Sequence, residues 1–144
     1  MSTVHDSPCF PLFPHPLQVL RAIIPGKHLS DLKASLPTWA YLYSRLVMDN
    51  NRGVRAEASH VMAALATALG REVAPRLRTL LPNWWLAQFD PVSEVATAAS
   101  GGLQKMFPGR KLRDAMLMCR KEVGLCVAVA WLCCNLSAAY TWRC

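Results

Sequence analysis

Two amphipathic helix pairs, the second repeating the first at an offset of 41 residues, constrain this chain more than any other feature. The shift lays Asp49 on Asp90, Val54 on Val95 and Ala58 on Ala99. In the preceding helix it lays Trp39 on Leu80, Tyr43 on Trp84 and Leu46 on Ala87. A helix pair recurring about every 40–47 residues is the mark of HEAT and armadillo repeats. One such pair cannot bury its apolar face alone, so neighbouring pairs must stack. An ordinary helical bundle has the same amphipathicity without a fixed offset. The expected fold is therefore all-α, a HEAT/armadillo-like α-solenoid fragment of two helix pairs plus flanking helices.

The stripes that support this follow helical spacing. Trp39, Leu42, Tyr43, Leu46 and Val47 recur at i, i+3, i+4, i+7 and i+8. Val54, Ala58, Val61, Met62, Leu65 and Leu69 line the next run, which Gly70 is placed to end. Leu77, Leu80, Leu81, Trp84, Trp85 and Phe89 follow, then Val92, Val95, Ala96, Ala99, Leu103 and Met106. Leu112, Ala115, Met116 and Cys119 mark one more helix after the Pro108-Gly109 break. Nothing between 27 and 122 alternates with period two, so strands are not expected. Prolines are expected to punctuate these runs. Pro37 separates a short helix from the one after it, Pro82 kinks or interrupts its helix, and Gly101-Gly102 interrupts another. Asp49 and Asp90 are the expected N-caps of the second helix in each pair.

Two flanks differ in character. Residues 1–26 hold Pro8, Pro11, Pro14, Pro16 and Pro25 and read as a proline-rich, disordered arm. They lack the basic start and apolar run of a secretory signal. Residues 123–144 are apolar and cysteine-rich, with no charge from Val123 to Trp142. Such a length is physically admissible as a membrane anchor, yet its dense apolar part, Val123 to Cys134, suits a buried or interfacial segment. A divergent end is the third reading of the tail. The helical repeats occupy 27–122.

With 53% hydrophobic and 17% charged residues, the chain has ample apolar surface to fold. Its charge of +7, from 16 basic and 9 acidic residues, favours anionic partners. No catalytic constellation and no phosphate-binding loop is present in the sequence. Six cysteines lack the distribution of a secreted disulfide framework, so a reducing, cytosolic setting is expected. The basic residues carry the only general hint of function. Arg52 and Arg55 sit at one inter-helix turn, Arg76 and Arg78 near the start of the following helix, and Arg110, Lys111 and Arg113 after the second break. Solenoid turns align on one edge, so these residues, Arg52, Arg55, Arg76 and Arg78 first, form a candidate ridge for RNA phosphates. The competing reading pairs Arg55 with Asp49 or Glu94 and leaves Arg76 and Arg78 solvated.

Specific strings go further than periodicity. Leu46-Val47-Met48-Asp49-Asn50-Asn51-Arg52-Gly53-Val54-Arg55 and Trp84-Trp85-Leu86-Ala87-Gln88-Phe89-Asp90-Pro91 resemble the N-terminal HEAT-repeat region of the listerin family, large RING-type ubiquitin ligases. Phe107-Pro108 and Cys119-Arg120-Lys121-Glu122 continue the likeness, which covers about residues 30–122. The resemblance implies a role in ribosome-associated quality control. Its expected partners are the large ribosomal subunit and the nascent-chain-sensing cofactor. The family's chemistry resides in a C-terminal RING that holds two zinc ions through paired Cys and His ligands. No CxxC pair exists here, so neither zinc nor ligase activity is expected of this chain alone. Two other classes stay open: a small tail-anchored helical membrane protein and a free RNA-binding helical module.

Overall fold

The computed structural model describes residues 15–125 and 128, and every regular element among them is helical. Helix α1 (Pro16–Ile23) leads through a 3-10 turn at Ile24–Gly26 into α2 (Leu29–Leu46) and α3 (Arg52–Leu69). A longer 3-10 segment, Gly70–Arg76, then precedes α4 (Leu77–Ala87), α5 (Ser93–Met106) and α6 (Lys111–Met118), and residues 120–125 are again helical.

Helix α2 packs on α3 and on α4, α4 on α5, and the most extensive packing is α3 on α5. The chain thus stacks two helix pairs, α2/α3 and α4/α5, in two layers. The repeat is visible side chain by side chain. Tyr43 and Trp84 are both wholly buried, as are Ala58 and Ala99. Trp39 and Leu80 are buried too, and the Trp39 indole N–H donates to Met62 Sδ at 3.3 Å. Leu42 and Phe89 depart from the expected stripes and face solvent, the latter 66% exposed.

The arm expected over residues 1–26 is corrected from His15 onward; residues 1–14 lie outside the described part. Pro16 occupies the first helical turn, where no N–H is needed, and the His15 side chain accepts the Leu17 N–H. Pro25 likewise sits at the start of its 3-10 turn. These prolines begin helices, whereas the sequence alone suggests that they prevent one. Leu17 and Ile24 anchor the segment on α3, with Arg21 paired to Glu57 at 3.4 Å.

Interior prolines are also absorbed. Helix α2 runs unbroken through Pro37, whose ring and the Lys33 residue one turn earlier are both exposed. The Lys33 carbonyl, which loses its partner there, thus lies on a solvent-exposed face of the helix. Helix α4 likewise continues through Pro82, and α5 through Gly101-Gly102. Gly70 does end α3, in a backbone conformation (φ 54°, ψ −119°) that L side chains disfavour.

The tail reading falls largely outside the described residues. Among those described, no helix is long and apolar enough to cross a membrane.

Candidate interaction surface

The two inter-helix turns have the same local chemistry. Asp49 Oδ1 accepts the Asn51 N–H at 2.8 Å, and Asp90 Oδ1 accepts the Val92 N–H at 2.8 Å. Both aspartates therefore close turns two residues ahead of the caps, which are Asn51 and Val92. This corrects the expectation that Asp49 and Asp90 are themselves the N-caps. Asn51 fills that role for α3 by accepting the Gly53 N–H. Val92 has no side-chain acceptor, and the Asp90 carboxylate serves its N–H from outside the helix.

Arg55 joins the two turns. Its Nε donates to Asp90 Oδ2 at 2.7 Å and its Nη2 to Asp90 Oδ1 at 3.2 Å. The remaining nitrogen donates to the carbonyls of Asp49 and Asn50. The planar fork thereby binds one carboxylate bidentately and two carbonyls of its own turn. The side chains are only 14% and 9% exposed. Asp90, neither Asp49 nor Glu94, is the partner.

Burial pushes the Asp90 carboxyl up, but the Arg55 guanidinium and the Val92 N–H outweigh it and hold the group below its ordinary value. A depressed folded-state value stabilises the fold above the unfolded pKa, near 4, and that stability is lost as pH falls through the folded value. Asp90→Asn should therefore lower stability by about 2 kcal/mol at neutral pH, because it leaves Arg55 without its counter-charge. Urea melts of wild type and variant should converge in acid, where the wild-type carboxyl is itself protonated.

The candidate ridge separates into two ends. Arg52 and Arg55 begin α3, beside Asp90 after the end of α4. Arg76 and Arg78 flank the start of α4, whose eleven residues rise about 16 Å. Lys33, early in α2, pairs with Glu72 in the 3-10 segment, which fixes that segment at the opposite end of the stack. Antiparallel helices put successive turns at alternating ends, so the four arginines do not line one edge. Arg55 is engaged, and Arg52 is exposed at its own end. Arg76 and Arg78 are exposed at the other, with Glu122 3.7 Å from Arg78. Arg110, Lys111 and Arg113, which follow the end of α5, join that second end.

Burial, and secondarily the Glu122 carboxylate, push the Cys119 thiol up, as for an inert structural cysteine. Among the described residues no group of three or more His, Cys, Asp or Glu side chains is placed to hold a metal ion.

A shallow groove, not anticipated from the sequence, follows the outer side of α3 and α5. One cavity, of about 560 Å³, lies between the stretch 24–32 and the α3 residues His60, Ala63, Ala64, Thr67 and Ala68, with Lys105 of α5 at its edge. A second, of about 450 Å³, shares His60, Ala63 and Lys105 with it and extends to Glu94. The available signal was a second stripe, Ala64, Thr67 and Ala68 with Thr97, Ala98 and Gly101, opposite the core stripe.

The family model for the N-terminal domain of the E3 ubiquitin-protein ligase listerin matches residues 16–128. The chain belongs to the listerin family. Gallus gallus listerin is 30% identical over 92 residues, covering 64% of this chain and 5% of that protein. Xenopus tropicalis listerin is 27% identical over 97 residues, and Drosophila melanogaster listerin 29% over 109. These cover 67% and 74% of this chain but 6% of each relative. The chain thus spans only about a twentieth of the listerins it matches. No solved structure matches it. The listerin match opens at α1 and so includes the helix that sequence alone assigns to the arm. It also runs past Glu122, the expected end of the likeness, to residue 128.

Proposed function

We propose that this chain is a non-catalytic, HEAT-type docking segment of the kind that opens listerin, acting on large ribosomal subunits that carry stalled nascent chains. Its listerin-family membership carries the reading. In this proposal the segment works in the cytosol, alongside the nascent-chain-sensing cofactor, and contributes no ubiquitin-transfer chemistry of its own. Stacked helix pairs offer a long, rigid surface, which suits docking better than catalysis. The exposed cations at the α4 start, Arg76 and Arg78 with Arg110, Lys111 and Arg113, give that surface an end able to meet rRNA phosphates without reading sequence.

Co-sedimentation of the purified chain with separated ribosomal subunits tests this. The expected outcome is retention on large subunits well above that on small ones. Changing Arg76, Arg78 and Arg110 to glutamine should weaken retention. It should also reduce the salt slope by about 0.7–0.9 for each phosphate that is no longer neutralised. Helical content should hold, because all three side chains are exposed. Equal binding to both subunits would overturn the proposal.

A further inference from the structure

We propose that the α3/α5 groove is a docking site for an amphipathic helix of a protein partner, acidic in its first turn and basic in its last. This goes beyond the ribosome reading and does not depend on it. Between α3 and α5 the walls are helices whose backbone groups are already paired, so an extended segment would leave its own N–H and C=O groups unsatisfied over Ala63, Ala98 and Gly101. A helix satisfies them internally. Its floor is low enough for close approach, since Ala63, Ala98 and Gly101 present little or no side chain.

Gly101 supplies a specific hint. Glycine inside a helix is disfavoured by about 0.5–1 kcal/mol relative to alanine. Neighbouring Gly102 has a reason: a Cβ there would lie 2.7 Å from Ala63 Cβ and 2.9 Å from Trp84 Cζ2. At Gly101 a Cβ would meet nothing within 4 Å, and the residue lines the groove. Nothing within the described chain requires glycine at that position, whereas a helix lying across it would approach more closely for the missing side chain.

Charge sets the orientation. Glu94 stands at one end of the groove and Lys27 and Lys105 at the other, and none of the three enters an ion pair among the described residues. From Glu94 to Lys105 α5 rises about 17 Å, the length of a three-turn helix. A helix with acidic first-turn residues against Lys27 and Lys105 and basic last-turn residues against Glu94 matches both ends. That same charge order favours the helix through its own dipole. It would run antiparallel to α5.

The probe is a fluorescent synthetic peptide of about twelve residues, stapled on its outer face. It carries leucines at helical spacing, glutamates in the first turn and lysines in the last. Its twin has the charges exchanged. Fluorescence anisotropy on the full chain should show the first peptide binding at least about tenfold tighter than its twin. Glu94→Lys with Lys105→Glu should reverse that preference. Gly101→Trp should weaken binding by about tenfold or more, with circular dichroism unchanged and the melting temperature no lower. Equal affinity of the two peptides, no binding up to about 1 mM, or undiminished binding by a folded Gly101→Trp chain would overturn the proposal. So would a dimer-to-monomer shift on Gly101→Trp, which would assign the groove to a second copy. Tighter peptide binding on removal of residues 1–14 would assign it to the chain's own N-terminus, with the same consequence.

Discussion

Trp84→Ala should remove about 3–5 kcal/mol of stability, a large share of the 5–15 kcal/mol typical of a folded domain. Its indole is wholly buried, meets Phe107 edge-on with ring centroids 6.4 Å apart, and packs under Gly102. The cavity left behind would sit where α4, α5 and the Phe107 turn converge, and rigid helices on several sides cannot collapse into it. Trp85→Ala is the matched control. That ring is only partly buried against the core and meets the exposed Phe89 edge-on at 5.6 Å, so its loss should cost less, about 1–2 kcal/mol. Chemical denaturation of the two variants should differ in midpoint by most of the Trp84 effect.

Gly102→Leu should cost about 3 kcal/mol, because the new side chain must displace Ala63 of α3 and Trp84 of α4, both close against α5 at this position. Gly101→Ala should do the opposite. With nothing within reach of the added methyl, it should raise stability by about 0.5–1 kcal/mol through helix propensity alone. Two adjacent glycines in one helix thus carry opposite expected signs. Thermal melts of the single variants read both, and a loss at Gly101 matching that at Gly102 would contradict the packing described for α5.

Much of this architecture was legible in the sequence because its signals are local or periodic. The 41-residue offset pairs Tyr43 with Trp84 and Ala58 with Ala99, and all four are wholly buried. Gly70 stops α3 as its lack of a Cβ suggests. Prolines mislead, because a proline's effect depends on its place in the turn. Pro16 starts a helix, while Pro37 rides on an exposed face where the missing bond does not bury an unpaired carbonyl.

The surface was less legible. Arg55 and Asp90 are 35 positions apart, and nothing in spacing alone chose Asp90 over Asp49 or Glu94. The single ridge fails because reading turns in sequence order ignores the alternation imposed by antiparallel helices. The groove was hidden for a different reason. Alanine, glycine and threonine on the second face of α3 and α5 look like filler until the two helices are set side by side.

Competition on the large ribosomal subunit tests the docking account most directly. Full-length listerin bound to purified large subunits would be challenged with a growing excess of this chain, and the listerin remaining after sedimentation measured. The account predicts that bound listerin falls as the folded chain takes its place, and that Arg76, Arg78 and Arg110 changed to glutamine blunt the displacement. Listerin that stays fully bound while the chain is in saturating excess would contradict it.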